Sequence, residues 1–313
     1  MAQFELICGD SFAWLRDQPD NSIHGVITDP PYAVFEYEES ELAKLAAGRG
    51  GVWRIPPKIG GTERSPLPRF TVYGEDELEK ISLYFENLSK ELLPKLVPGA
   101  HVFMAASTQL SHLAFSAMCR GGLERRGEVV RLVRTLRGGD RPKNAHEDFP
   151  DLCVSPRSCW EPWGLFRKPI EGRVQDNLRK WKTGCLRRLS DDTPFLDIVP
   201  SERTPRRERD IVNHPSLKPQ SFLRHLARHI LPFNEGRVFD PFAGSGSTLA
   251  ACLAVEIDSV GVERNVGYYS QALEAIPKLA RLDVGANLSA TANATIPDSQ
   301  MLFSYEIRSK YQA

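Results

Sequence analysis

RVFDPFAGSGST, residues 237–248, is the stretch that decides the fold of this chain of 313 residues. Its apolar start is typical of a strand, its two glycines of a tight turn, and the residues after them of a helix start. This layout brings the backbone close to a nucleotide-like ligand. Residues 257–262 predict a second strand that closes on Glu263, roughly twenty residues beyond the glycines, where a carboxylate can accept hydrogen bonds from both ribose hydroxyls. A helix over residues 266–282 completes the predicted unit.

A second motif stands far upstream, where residues 22–32 read SIHGVITDPPY. The apolar residues predict a short strand, and two consecutive prolines must end it because they cannot donate ladder hydrogen bonds and they fix φ. The turn then presents the carboxylate of Asp29, the carbonyl oxygen of Pro30 and the ring of Tyr32. Two acceptors and a flat face suit an exocyclic amine on a base that has left its stack. Taken alone, the prolines would indicate only a turn.

The two motifs together resemble the amino-methyltransferases of DNA, which use S-adenosylmethionine to methylate N6 of adenine or N4 of cytosine. Because the DPPY motif precedes the glycine turn, with a candidate recognition segment between them, the chain resembles the permuted, beta class of that family. The resemblance covers residues 4–282 and implies an α/β fold, a Rossmann-like methyltransferase sheet with helices on both faces, plus a small irregular target-recognition segment. The catalytic residues that it implies are Asp29, Pro30, Pro31 and Tyr32.

The resemblance also implies a binding site for S-adenosylmethionine, assembled from four stretches of sequence. A Gly-Asp pair follows the first predicted strand, a His-Pro and a Lys-Pro stand before the glycine turn, and Glu263 ends the second strand of the unit. Two residues have a structural interpretation as well, since Asp10 can cap the helix after it and Pro219 suits a first helical turn. The implied cofactor-binding residues are Asp10, His214, Lys218, Asp240, Pro241, Phe242, Gly244, Gly246, Ser247, Thr248, Glu263 and Asn265.

Residues 170–212 are irregular and rich in arginine, and the family places its target-recognition segment here. Lysine and arginine outnumber aspartate and glutamate in residues 120–212, whereas the whole chain holds 40 of each kind. A moderately basic middle suits a face that meets phosphates, with an ordinary solvated surface as the alternative. The sequence does not separate residues that position the DNA backbone from residues that read bases. The candidate DNA-binding residues are Arg173, Arg179, Lys180, Lys182, Arg187, Arg188, Arg206 and Arg207.

The order of the motifs divides the chain into four predicted parts. Residues 1–169 are the catalytic half of the methyltransferase domain, with a flap at 33–75, and residues 170–212 are the target-recognition segment. Residues 213–283 are the cofactor-binding half, and residues 284–313 are a linker and a C-terminal tail. The flap leaves directly from the catalytic turn, so we expect it to order over DNA or cofactor; an unconstrained surface insertion is the alternative.

The pattern between the motifs predicts alternating helices and strands. A helix capped by Asp76 is expected to run to Pro98 and Gly99. Further strands are expected over residues 100–106, 128–136 and 160–169, and further helices over residues 108–119 and 219–230. Such alternation predicts a mostly parallel sheet with helices on both faces.

Composition narrows the class of protein further. The six cysteines are scattered without a CxxC pair, which favours reduced thiols over a disulfide framework or zinc ribbon. His225 and His229 are four residues apart without a glutamate between them, so we expect a solvated helix face and no metal site. The chain has no long apolar run and its first residues lack a signal-peptide layout, so we expect a cytoplasmic protein with no membrane contact.

The resemblance implies methylation of a flipped base in double-stranded DNA, and adenine N6 is favoured because cytosine-N4 enzymes more often carry serine at the position of Asp29. The N4-cytosine activity stays open. A methyltransferase of RNA or protein is less favoured, since such enzymes generally carry Asn-Pro-Pro-Tyr after the cofactor motif. An inactive DNA-binding subunit is also less favoured, because Asp29 and Tyr32 are both present. A homodimer and a cognate restriction enzyme are further candidate partners.

Overall fold

The computed structural model describes residues 2–31, 58–59, 62–63, 74–133, 139, 141–142, 144–212, 214 and 216–284. Tyr32 of the predicted catalytic turn, most of the predicted flap and the predicted tail from residue 285 lie outside the described residues.

The centre of the fold is an eight-stranded sheet in the order β1-β10-β9-β2-β5-β7-β6-β8. The first five strands in this order run parallel, β7 runs antiparallel to β5 and β6, and β8 is parallel to β6. Two further short strands, β3 and β4, pair only with each other. The strands are β1 (Phe4–Cys8), β2 (Ile23–Thr28), β3 (Lys58–Ile59), β4 (Thr62–Glu63), β5 (Leu96–Ala105), β6 (Glu124–Leu132), β7 (Trp160–Arg167), β8 (Ile198–Pro200), β9 (Arg237–Asp240) and β10 (Asp258–Glu263).

Helices cover both faces of the sheet, as the sequence predicts. Phe85 and Phe115 belong to the core on one face, and Phe222, Trp163 and Val238 belong to the core on the other. Apolar residues from both layers therefore bury the two sides of the central strands. The helices are α1 (Ser11–Asp17), α2 (Glu75–Lys95), α3 (Ser111–Arg120), α4 (Val174–Trp181), α5 (Arg206–Arg209), α6 (Gln220–Ile230), α7 (Ser247–Ala254) and α8 (Val266–Ala280).

The parallel strands begin along one edge of the sheet and end along the opposite edge. We call the edge at which β2, β9 and β10 end the carboxyl edge, and the edge at which they begin the amino edge. The register Gly25↔Val238 and Val26↔Phe239 sets β2 directly beside β9. Both predicted motifs follow these two strands, so the fold brings them to the carboxyl edge, where α/β proteins place their ligands.

Several predicted boundaries of the elements are wrong. The helix α2 begins after Gly74, not at a cap on Asp76, because the Glu77 side chain accepts a hydrogen bond from the Gly74 amide at 2.8 Å. It ends at Lys95 rather than at Pro98, because Leu96 already pairs with Ile23 as the start of β5. Strand β6 begins at residue 124 rather than 128, and Pro219 is the N-cap of α6 rather than part of its first turn.

The expectation of a solvated face for His225 and His229 is also wrong. Both side chains are buried, with ring centroids 4.8 Å apart, and each packs against Phe195. Burial lowers the pKa of His225 to about 3, and burial also lowers the pKa of His229. The two imidazoles are buried core residues of α6. Within the described ranges, no helix is long and apolar enough to cross a membrane.

Candidate active site

The described part of the DPPY turn, Asp29-Pro30-Pro31, leaves β2 beside the glycine turn. Thr28, the last residue of β2, donates a hydrogen bond from its buried hydroxyl to Oδ1 of Asp240 at 2.8 Å. This bond ties the ends of two strands whose residues are far apart in the chain. Pro30 is buried and Pro31 is exposed, so the turn is anchored on one side and open on the other.

The glycine turn is held by a buried carboxylate. Asp240 also accepts a hydrogen bond from the amide of Phe242 at 3.1 Å. Burial raises the pKa of Asp240 to about 6, although bonds from Thr248, Thr28 and that amide oppose the rise. Gly246 has φ +75°, which favours glycine, and a Cβ there would lie 2.4 Å from Cγ1 of Ile276.

Glu263 closes the turn from the neighbouring strand. Its carboxylate accepts from the amide of Gly244 at 2.9 Å and from the amide of Asn265 at 2.7 Å. The Asn265 side chain caps α8 by accepting from the amides of Gly267 and Tyr268 at 2.9 and 3.1 Å. The predicted acidic residue therefore stands at the end of β10, directly against the glycine turn.

Asp10 and His214 flank this turn. Asp10 is exposed and caps α1, accepting from the amide of Ala13 at 2.9 Å, so its predicted structural role is confirmed. The His214 ring meets Tyr268 edge to face, with centroids 4.5 Å apart. Burial, assisted by the charge of Lys218, lowers the pKa of His214 to about 4, which keeps this imidazole neutral near pH 7.

Lys218 contacts the predicted catalytic carboxylate. Its ammonium group forms a buried ion pair with Asp29 and lies 3.4 Å from Oε1 of Glu161. Oε2 of Glu161 accepts from Arg131 at 2.9 Å and from the indole of Trp163 at 3.1 Å. Positive and negative groups thus alternate from the DPPY turn to strand β6.

One cleft at the carboxyl edge brings together eight of the sixteen predicted catalytic and cofactor-binding residues. Beside the predicted residues, it is lined by Trp163, Ser216, Leu223, Ala243 and Ser245. The predicted residues that line it are Asp29, His214, Lys218, Asp240, Phe242, Gly244, Ser247 and Thr248.

The site also uses residues that the motifs did not reveal. Ser11 donates its buried hydroxyl hydrogen to the carbonyl of Pro241, and Thr28 bonds Asp240. Glu161 and Arg131 complete the charge alternation with Lys218. Of these residues, only Glu161 could have been recognised from the sequence. It is a carboxylate inside the apolar run WEPWGLF, and a charge buried with such a strand needs charged or hydrogen-bonding partners.

A larger cavity of about 470 Å³ lies away from this site. It is lined in part by Arg187, Arg188, Arg228, His229 and Glu256, near the last turn of α6 and the loop before β10. It contains neither the DPPY turn nor the glycine turn, so its size does not make it the candidate active site.

The predicted DNA-binding residues are exposed but do not gather at one place. Helix α4 is tied to the start of β5, where Asn177 donates to the carbonyl of Pro98 at 2.9 Å. The amide of Arg187 donates to the carbonyl of His229 at the end of α6. The amino edge therefore holds Arg173, Arg179, Lys180, Lys182, Arg187 and Arg188.

Arg206 and Arg207 lie at the other edge of the sheet. They begin α5, in which Glu208 accepts from the amide of Gln220 at 2.9 Å, two residues from Lys218. The segment 170–212 therefore crosses the sheet from the amino to the carboxyl edge and contributes β8 on the way.

The fold and the cleft together define a Rossmann-like protein with an Asp-Pro-Pro turn beside a nucleotide-type glycine turn. The model of the N6/N4 methyltransferase family, described as DNA methylase, matches residues 23–274. The chain belongs to this DNA methylase family.

Individual relatives agree with this assignment. The type II methyltransferase M.HindIII of Haemophilus influenzae is 24% identical over 291 residues, covering 85% of this chain and 93% of its own. Three solved structures share the fold. The M1.HpyAVI–SAM complex is 15% identical with a TM-score of 0.53, covering 87% of this chain and 98% of its own.

The second solved structure is TTHA0409 of Thermus thermophilus, complexed with S-adenosyl-L-methionine. It is 18% identical with a TM-score of 0.52, covering 89% of this chain and 95% of its own. The cytosine-N4-specific PvuII DNA methyltransferase is 14% identical with a TM-score of 0.55, covering 94% of this chain and 91% of its own. At these identities the structures support the α/β fold of the chain.

Proposed function

We propose that this protein transfers a methyl group from S-adenosylmethionine to the exocyclic amine of a flipped base in double-stranded DNA, with N6 of adenine as the target. The observation that carries the proposal is the junction of β2 and β9. There the Thr28–Asp240 hydrogen bond of 2.8 Å holds the DPPY turn against the glycine turn. A base at Asp29 would therefore lie next to a cofactor at Gly244 and Gly246.

The residues of the cleft fit S-adenosylmethionine. The turn at Gly244 and Gly246 has left-handed backbone, which glycine adopts without strain, and this tight bend presents main chain to a ligand at the carboxyl edge. Glu263 would accept from the ribose hydroxyls of the cofactor, and Ser247 and Thr248 open helix α7 beneath the turn. When bound, S-adenosylmethionine supplies an electrophilic methyl group on its sulfonium.

The chain itself has to orient the amine. Asp29 and the carbonyl oxygen of Pro30 would accept the two N–H groups and turn the nitrogen lone pair toward the methyl group. As the N–C bond forms and the S–C bond breaks, the amine loses one proton to Asp29 or to water. Orientation of this kind can lower a barrier by roughly 7–11 kcal/mol in well-aligned systems. Tyr32 would stack on the flipped base.

Adenine is preferred as the target because the turn begins with Asp29, at the position where cytosine-N4 enzymes more often carry serine. Cytosine N4 is the second candidate, and the N6/N4 family match accommodates both bases. We propose double-stranded DNA as the partner, with a homodimer and a cognate restriction enzyme as further candidates. The name of the relative M.HindIII as a type II methyltransferase supports the last of these.

The test is methyl transfer from tritiated S-adenosylmethionine to unmethylated genomic DNA, followed by digestion to nucleosides and separation by mass. We expect label in N6-methyladenine. Asp29→Ala should lower the transfer rate by about 10³-fold, because both acceptance and orientation are lost, while cofactor binding persists.

Asp20→Ala is the matched control. Asp20 also pairs with a lysine, Lys95, at 2.8 Å, but at the amino edge, so its loss should leave the rate unchanged. Label in N4-methylcytosine would correct only the base. Absence of label in DNA from a folded protein that binds cofactor would reject the proposal.

A further inference from the structure

Lys218 stands in an unusual electrostatic position for a residue expected to bind a cofactor. Its side chain is 11% exposed and pairs with the side chain of Asp29, which is 15% exposed. The ammonium therefore faces the catalytic turn from within the protein. A buried ammonium with a direct bond to the catalytic carboxylate is placed to act on that carboxylate.

Lys218 is itself held from the opposite side. Glu161 lies 3.4 Å from the ammonium and is fixed in turn by Arg131, whose other nitrogens donate to Ser201 Oγ and to the carbonyl of Glu202, each at 3.0 Å. The chain of charges therefore runs from the DPPY turn to Arg131 on β6, and hydrogen bonds continue it to the residues after β8. Such a network leaves each group little freedom to turn.

Lys218 and Glu161 both stay ionised in this network. Burial alone would lower the pKa of Lys218, but the carboxylates of Asp29 and Glu161 outweigh burial and raise it. Burial would likewise raise the pKa of Glu161, but the charges of Lys218 and Arg131 lower it to about 2. The carboxyl groups of Asp29 and Glu161 thus face two basic side chains in a largely buried site, where an unpaired charge would be destabilising.

The proposed reaction needs Asp29 in one protonation state. A carboxylate accepts the N–H groups of an amine, whereas a protonated carboxyl group presents a donor in place of one acceptor. A permanent cation bonded to Asp29 favours the carboxylate and fixes its plane.

We propose that Lys218 is a positioning residue that holds Asp29 as an oriented, ionised acceptor for the amine, with Glu161 and Arg131 fixing Lys218. The inference rests on the proposed function. It differs from the cofactor contact expected for Lys218 from the sequence. Among the described residues, His214, which precedes Lys218, and Asp240 on β9 are further titratable groups close to the pair.

The experiment compares Lys218→Met and Lys218→Arg with wild type. Lys218→Met should lower single-turnover kcat by about 10²–10³-fold and change the Kd for S-adenosylmethionine less than about 3-fold. It should also move the acidic limb of the rate profile up by about 1–3 pH units, because an opposite charge beside the carboxylate is lost. Lys218→Arg keeps the positive charge, so the acidic limb of its rate profile should lie close to the pH at which it lies in wild type.

Lys95→Met is the matched control. Lys95 has a side chain 13% exposed and pairs with an aspartate, so it resembles Lys218 in its own burial, but its partner Asp20 is 65% exposed and the pair lies at the amino edge. It should leave the acidic limb and kcat unchanged. A lost affinity for S-adenosylmethionine at unchanged kcat in Lys218→Met would establish the cofactor contact and overturn the inference. A lower kcat with an unmoved limb and no recovery in Lys218→Arg would also overturn it.

A second measurement does not depend on methyl transfer. In protein labelled with ¹³C-aspartate, the carboxyl resonance of Asp29 should titrate at higher pH in Lys218→Met than in wild type. An unchanged titration rejects the inference even if DNA is methylated. A shifted titration in a protein that methylates no DNA keeps the electrostatic role and rejects the proposed function. If Lys218→Met does not fold, Lys218→Gln takes its place with the same expectation.

Discussion

The carboxyl edge of the sheet and helix α4 at the amino edge use charged residues in opposite ways. At the carboxyl edge, Lys218 and Arg131 have side chains 11% and 6% exposed, and each is bonded to carboxylates. On α4, Arg173 and Arg179 share Asp176 with side chains 78% and 75% exposed. Exposed pairs contribute little to stability, whereas breaking a buried pair is costly.

The difference shows where the molecule requires a fixed geometry. Buried, alternating charges hold Asp29 in one place, which a reaction centre needs. The exposed charges of α4 can move and pair with water or with a ligand. All the predicted DNA-binding residues are lysine or arginine, so residue type does not distinguish them. The edge of the sheet at which each one lies divides them into two groups.

The largest effect we predict in this comparison concerns two glycines with positive φ. Gly246 at the carboxyl edge has φ +75° and would place a Cβ 2.4 Å from Ile276, while Gly172 at the amino edge has φ +67° and open space around it. Gly246→Ala should lower the free energy of unfolding by about 2–4 kcal/mol, since backbone strain and overpacking add.

Gly172→Ala should lower the free energy of unfolding by only about 1 kcal/mol, because the alanine has to adopt a left-handed backbone but has no close neighbours. Urea unfolding of the two variants measures both values. Gly246→Ala should also weaken binding of S-adenosylmethionine, which calorimetry can follow, whereas Gly172→Ala should not. Equal costs for the two alanines would show that the glycine turn is not as tightly packed as the structure indicates.

The next effect concerns the pH dependence of stability. In the folded state the pKa of Glu161 is lowered to about 2 from 4.5, so its ion pairs stabilise the fold fully above pH 4.5. That contribution is lost as the pH falls from 4.5 toward 2, because the unfolded state takes up the proton first. Glu161→Gln should therefore cost about 2–3 kcal/mol near pH 7, and the difference from wild type should shrink as the pH falls.

Glu171→Gln is the control from the amino edge. Its carboxylate pairs with Lys180 at 2.8 Å, with both side chains more than half exposed, so we expect no measurable change at any pH. Thermal unfolding at several pH values between 2 and 7 follows both variants. A difference between Glu161→Gln and wild type that stays constant with pH would contradict the ionised network.

The strand ends at the carboxyl edge can be predicted well from the sequence, because each is marked by residues that are neighbours in the chain. The strand ends before Asp29 and at Glu263 follow from apolar runs, prolines and glycines within a few residues, and the structure places each as expected. The two motifs also carried the resemblance to the DNA amino-methyltransferases, and the N6/N4 family match confirms that family.

The pairing of Lys218 with Asp29 could not be predicted in this way. The two residues are 189 positions apart, and only the register of β2 with β9 and the direction of α6 bring them together. The burial of His225 and His229 was missed for a related reason, since four-residue spacing shows that two side chains share a helix face but not which face is covered.

The smallest predicted effect concerns DNA affinity and divides the basic residues by edge. A flipped base must reach Asp29, so the duplex is expected to lie across the carboxyl edge, near Arg206 and Arg207. By contrast, Arg187 lies at the far end of α6, a helix of 11 residues that spans about 16 Å.

The double variant Arg206→Gln and Arg207→Gln should weaken DNA binding by about 1 kcal/mol or more, and the slope of log affinity against log salt should fall by about 1–2, because two phosphate contacts are lost. The matched double variant Arg173→Gln and Arg179→Gln should leave affinity and slope unchanged, since both arginines stay at the amino edge with Asp176. Fluorescence anisotropy over a salt series with a labelled duplex measures both. If the α4 variant reduces the slope as much as the α5 variant, Arg173 and Arg179 also contact phosphates, and DNA reaches from one edge of the sheet to the other.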